Sequence, residues 1–163
     1  MLESFPVTII VTFQTTCDNR WQSGHWKVSG LVAGGQAVEG GLQREILHGG
    51  SQDEQRLWKG LRVRLHKDDA ESYYFNIVSE TPKVFVVCHR DAGEALQPFV
   101  VTLSYDEATS YMEGEETVEA VNMPPELYRW VEQYVLEHYV PEKRKKRKRD
   151  SWKERQGERS ARH

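Results

Sequence analysis

The sequence predicts a mainly β protein: about seven antiparallel strands in a sandwich or barrel-like body, one amphipathic helix over 125–139, and a disordered basic tail. Three observations predict it. Short apolar segments, most alternating with period two, recur between residues 7 and 105, broken by glycine, proline and Asx turns. A single 3.6-period segment follows them. Beyond Pro141 the composition turns almost wholly polar. With 163 residues the chain has enough length for one cored domain, placed at 1–141, with the tail at 142–163.

Val7, Ile9, Val11 and Phe13 alternate with Thr8, Thr12 and Gln14, which predicts the first strand. Ile10 breaks the alternation, as in a strand covered on both sides. Cys17-Asp18-Asn19-Arg20 turns the chain into a second strand over 21–33, with Trp26, Val28 and Val32 on one face. Gly34-Gly35 and Gly40-Gly41 bracket a loop, and 45–48 is a short strand ended by Gly49-Gly50. Gln52 to Trp58 reads as a polar connection with one helical turn. Leu61, Val63 and Leu65 alternate with Arg62, Arg64 and His66, a strand with a basic outer row. After a turn at Lys67-Asp68-Asp69, Tyr73, Phe75 and Ile77 predict a strand over 72–78. Val84 to Cys88 is a continuous apolar run of central-strand type, and Phe99, Val101, Leu103 and Tyr105 predict the last strand. Pro124-Pro125 and Glu126 then start the helix, whose apolar face is Leu127, Trp130, Val131, Tyr134 and His138. Trp130 is expected to be buried on that face.

Charge is unevenly divided. The tail carries five Lys and six Arg against four acids, a net of +7; residues 1–141 carry eleven bases against twenty-one acids, a net of −10. Between Asp91 and Tyr128 there are nine acids and no Lys or Arg. The run Lys143, Arg144, Lys145, Lys146, Arg147, Lys148, Arg149, closed by Asp150 and followed by Trp152, is the foremost interaction candidate. It suits an acidic protein surface or an external polyanion such as nucleic acid. The acidic body would repel a nucleic-acid backbone, and Trp152 is the tail's one stacking residue. Trp21 and Trp58, at strand or loop edges, are candidates for an exposed recognition patch; Trp26 and Trp130 fit core faces.

Other chemistries find little support. The six histidines form no HxH or HExxH pattern, and adjacent Cys88 and His89 point to opposite faces of a strand, so no metal site is expected. Two cysteines build no disulfide framework, and Cys88 reads as a buried core residue. Neither GxGxxG, GxxxxGK[ST] nor GxSxG occurs, so no nucleotide cofactor and no catalytic residues are expected. The carboxylates Asp68-Asp69 and Glu113, Glu115, Glu116 lie in hydrophilic, turn-like sequence and read as solvated. No apolar run reaches the ~18 residues of a membrane span, and the N-terminus lacks the basic segment of a signal peptide, so the expectation is a cytoplasmic protein.

Several segments together carry a family resemblance: Asn19-Arg20-Trp21-Gln22-Ser23 with Trp26 and Val28; Glu119 through Pro125; Trp130-Val131; Glu137-His138-Tyr139-Val140; and Lys146-Arg147-Lys148-Arg149-Asp150. In this order they resemble an uncharacterised bacterial family, domain of unknown function 3305, over about residues 5–152. Its members are typically encoded beside molybdenum- or tungsten-dependent formate dehydrogenases and their chaperones. The resemblance implies a non-catalytic accessory role in assembly or maturation of such an enzyme, with the dehydrogenase or its maturation factors as partner. It implies no catalytic residues and no bound cofactor. The alternative is an adaptor for nucleic acid or another polyanion, working through the tail.

Overall fold

Strand β1 (Ser4–Asp18) organises the first sheet, pairing antiparallel on one side with β2 (Trp21–Ala33) and on the other with β4 (Gln55–Arg64). β3 (Gln43–His48) completes the order β2-β1-β4-β3 on the far edge of β4. In this computed structural model the described residues are 4–18, 21–35, 43–48 and 54–141. A second antiparallel sheet has the order β6-β5-β7, from β5 (Lys83–Arg90), β6 (Leu96–Thr102) and β7 (Thr117–Asn122). Among the described residues three α-helices complete the fold: α1 (Ala70–Ile77), preceded by a 3-10 turn at Lys67–Asp69, α2 (Tyr105–Glu113) and α3 (Pro125–His138). The strands form two sheets rather than a closed barrel.

Along β1 the inward residues Val7, Ile9 and Val11 are buried, whereas Ile10 is only half-buried. Both neighbours of β1 carry a bulge, and each bulge reverses which residues point inward. On β2 the extra residue is Ser29, between the Ile10–Gly30 and Val11–Val28 pairs. Its Oγ lies 2.7 Å from Thr12 Oγ1 and donates to the Ile10 carbonyl at 3.3 Å. Trp26 and Val28 therefore face the core before the bulge, and Leu31 and Ala33 pack against it afterwards. Val32, expected beside Trp26 and Val28, is instead 52% exposed, because the expectation assumed an unbroken period. On β4 the extra residue falls between Trp58 and Leu61, where Gly60 adopts φ +97, a left-handed conformation that glycine reaches without a Cβ clash. Gly24 serves differently: a Cβ there would lie 2.1 Å from the Phe13 ring, which packs 5.2 Å from Trp26 on the same face.

β5 matches its expectation as a central strand, with Val84 to Cys88 all buried. Val84, Val86 and Cys88 face the main core, while Phe85 and Val87 lie on the opposite face of the strand, with the Phe85 ring 5.8 Å from Tyr105 of α2.

The expected strand over 72–78 is helix α1. Ala70, Tyr73 and Ile77 are buried at helical spacing, and Phe75 points outward. In so short an apolar run, periods of 2 and 3.6 select nearly the same residues. The helical turn expected within Gln52–Trp58 is not found in its described part, where β4 begins at Gln55. The last expected strand stops at Thr102, and Tyr105 opens α2. The single expected helix is thus one of three α-helices among the described residues, and β7 lies where no element is expected.

α3 starts where the prolines place it and ends within a residue of the expected 139. Leu127, Val131, Tyr134 and Val135 are buried. It packs on α1 through Tyr73–Tyr134 at 6.2 Å and through Tyr74 stacked on Tyr139 at 4.7 Å. Trp130, expected to be buried, is half-buried against Phe5 at 5.3 Å, because it lies at the border of this apolar face.

Candidate functional site

The N-terminal ends of α1 and α2 come together above the start of β5. Ser104 caps α2, its Oγ accepting from the Glu107 N–H at 3.1 Å and donating to Ser72 Oγ of α1 at 3.1 Å. Glu107 in turn accepts from Thr102 Oγ1 at 2.7 Å. Asn76 ties three elements together: its amide donates to the carbonyls of Lys83 at 2.7 Å and Leu103 at 2.9 Å, and its Oδ1 accepts from the Lys83 N–H at 2.9 Å.

This framework holds open a groove of about 680 Å³ lined by Glu71, Ser72, Phe75, Asn76, Ser79, Thr81, Lys83, Phe85, Tyr105 and Asp106. Phe75 and Tyr105 each stand 58% exposed at its mouth. A second cavity of about 540 Å³ lies on the other side of Phe75, lined by Lys67, Asp68, Ala70, Glu71, His138, Tyr139 and Val140. Glu71 and Phe75 line both, so the two form one surface divided by the outer face of α1.

The rim is acidic. Burial holds the Asp69 carboxyl above the usual carboxylate range; repulsion from Glu107, Asp68 and Asp106 adds to this, and His66 offsets part of it. Tyr73 is buried beneath, its Oη accepting from the His66 N–H at 3.1 Å, and burial raises its phenol well above the ordinary range. Asp69, expected to be solvated, is instead partly buried, and Tyr73 is buried on a helix where a strand is expected.

Cys88 lies buried in the core as expected, and burial pushes its thiol up to about 12. His89 points the other way, stacked on Phe99 at 3.8 Å with Nδ1 2.8 Å from Glu116. Trp58 is not part of an exposed patch: it is 7% exposed, with its Nε1 lacking a partner among the described residues. The bulge at Gly60 turns it inward. Trp21 opens β2 opposite Asp18. The tail candidates Lys143, Arg144, Lys145, Lys146, Arg147, Lys148, Arg149, Asp150 and Trp152 lie outside the described residues. Among the described residues no three His, Cys, Asp or Glu side chains are grouped to hold a metal ion, and no helix is long and apolar enough to cross a membrane.

The fold and groove define a mainly β protein with two antiparallel sheets, whose α1 and α2 present an apolar recess with an acidic rim. The chain matches the family described as "Protein of unknown function (DUF3305)" over residues 6–149 and belongs to that family. No curated protein and no solved structure matches it significantly.

Proposed function

We propose that this protein is a non-catalytic accessory protein serving the assembly or maturation of a formate dehydrogenase through protein–protein contacts. The observation that carries the reading is the groove between α1 and α2, where two aromatic side chains stand exposed beside a rigid, hydrogen-bonded frame. Aromatic anchors in a preformed recess with a charged rim are the usual make-up of a protein-recognition surface. The charge division between body and tail supports the same reading, since opposed patches steer partners and set their register. The choice of a formate dehydrogenase as client comes from the company in which members of the family are encoded.

The test is an affinity pull-down from the native source with the full chain, with a chain ending at Pro141, and with Phe75→Ser. The expected result is recovery of formate dehydrogenase subunits or maturation factors by the full chain and their loss with either variant. Recovery of unrelated proteins, or equal recovery by all three, would overturn the reading. Tight binding of generic DNA at physiological salt would favour the polyanion adaptor instead.

A further inference from the structure

We propose that the groove between α1 and α2 is the docking site of the chain's own basic tail, with Trp152 seated between Phe75 and Tyr105 and the Lys143–Arg149 run lying along Asp68, Glu71 and Asp106. Four observations lead there. The first is where the tail starts: His138, Tyr139 and Val140, the last residues before Pro141, line the second cavity and share it with Asp68, Glu71 and Phe75. The second is reach. Trp152 lies eleven residues beyond Pro141, up to ~36 Å of extended chain. The groove begins on the other side of Phe75, about one helix diameter, ~10 Å, away.

The third is charge. The tail is +7, and five acids gather at this surface: Asp68, Asp69, Glu71, Asp106 and Glu107. Three basic side chains line the cavities, Lys67, Lys83 and His138, and the Lys83 ammonium already donates to Asn122 Oδ1 at 2.7 Å. Burial is the main reason the Asp69 carboxyl is raised, and repulsion from Glu107, Asp68 and Asp106 adds a smaller part that an arriving cation would offset. The fourth is order. In sequence the seven bases precede Trp152, the one large apolar side chain of the tail; leaving Pro141, the chain meets the acid-rimmed cavity first and the aromatic groove second. A tether of this length holds the tail near millimolar effective concentration, so a weak contact suffices. Exposed ion pairs contribute at most about 1 kcal/mol each, so the docked tail exchanges readily and yields to a better-matched partner.

The experiment uses the full chain carrying 5-fluorotryptophan at its five Trp positions, with the Trp152 resonance assigned through Trp152→Phe. It is compared with the fluorinated 142–163 peptide, with Phe75→Ser and Tyr105→Ser in the full chain, and over a dilution series. The expected result is a Trp152 resonance displaced from that of the peptide, unchanged on dilution, and returned to the peptide position by either substitution while the Trp26, Trp58 and Trp130 resonances stay in place. If one substitution disturbs those core resonances, the other decides; both replaced side chains are exposed. Coincidence with the peptide in the unsubstituted chain overturns the proposal, as does a displacement that both variants keep. A displacement that fades on dilution assigns the tail to a second copy and overturns docking within one chain. The measurement uses the purified protein alone, so it and the pull-down fail independently.

Discussion

Replacing Asn76 with alanine tests whether the frame of the groove depends on one amide. The substitution removes two donations, to the Lys83 and Leu103 carbonyls, and one acceptance, from the Lys83 N–H. Each hydrogen bond contributes about 0.5–1.5 kcal/mol net, and a buried group left unpaired costs about 1–3 kcal/mol. Asn76 is half-buried beside the groove, so water can reach part of the gap. Alanine recovers about 0.5 kcal/mol of helix propensity. The balance is a loss of roughly 2–4 kcal/mol, a fall in melting temperature of about 5–15 °C for a chain of this size. Asn76→Asp keeps the acceptor but turns a carboxylate toward two carbonyl oxygens. Its carboxyl would titrate above the unfolded value, so its cost is full near neutrality and shrinks as pH falls through that raised value. Thermal melts followed by circular dichroism at about pH 7 and about pH 5 are the assay. A melting temperature unmoved by Asn76→Ala, or an Asn76→Asp deficit independent of pH, would refute the reasoning.

Two further outcomes are expected. Leu127→Ala, at a fully buried position, should cost about 2–5 kcal/mol in urea unfolding, and Trp130→Ala, at a partly exposed position packed on Phe5, should fall near the low end of the ~3–5 kcal/mol usual for an aromatic; no measurable loss from either would mean the α3 face is misassigned. The native Cys88 thiol titrates near 12 while the unfolded one titrates near 9, so stability should fall as pH rises from about 9 toward 12, by up to about 1.4 kcal/mol per unit. Cys88→Val should flatten that slope; parallel pH profiles for the two proteins would show that the thiol is not the cause.

Where the pattern was long or punctuated by proline, sequence and structure agree. Val84–Cys88 and the Pro125-led helix needed no tertiary information, because burial on both sides and a proline start are local signals. α1 was misread because Tyr73, Phe75 and Ile77 alternate as well as they wind. The acids Asp68 and Asp69 just ahead of it were the helix signal, and they were read as a turn. α2 was announced by Ser104-x-x-Glu107, a capping-box spacing, but Tyr105 extended the preceding alternation and hid it. The groove was not visible in the sequence for a different reason. Its walls come from residues 71–85 and 105–106, brought together by Asn76 and by the Ser72–Ser104 bond, and no local pattern encodes that meeting.

The paired bulges give the first sheet something like a reading frame. On β2 the residues that face the core change parity at Ser29, and on β4 they change between Trp58 and Leu61, while β1 between them keeps one parity from Val7 to Val11. Deleting Ser29 would leave Val28 and Gly30 adjacent and still opposite Val11 and Ile10, so the ladder would run without a bulge and Leu31 and Ala33 would keep facing the core. A one-residue change in strand length is therefore absorbed where a bulge lies, so relatives that vary in the length of β2 or β4 should do so at these two positions.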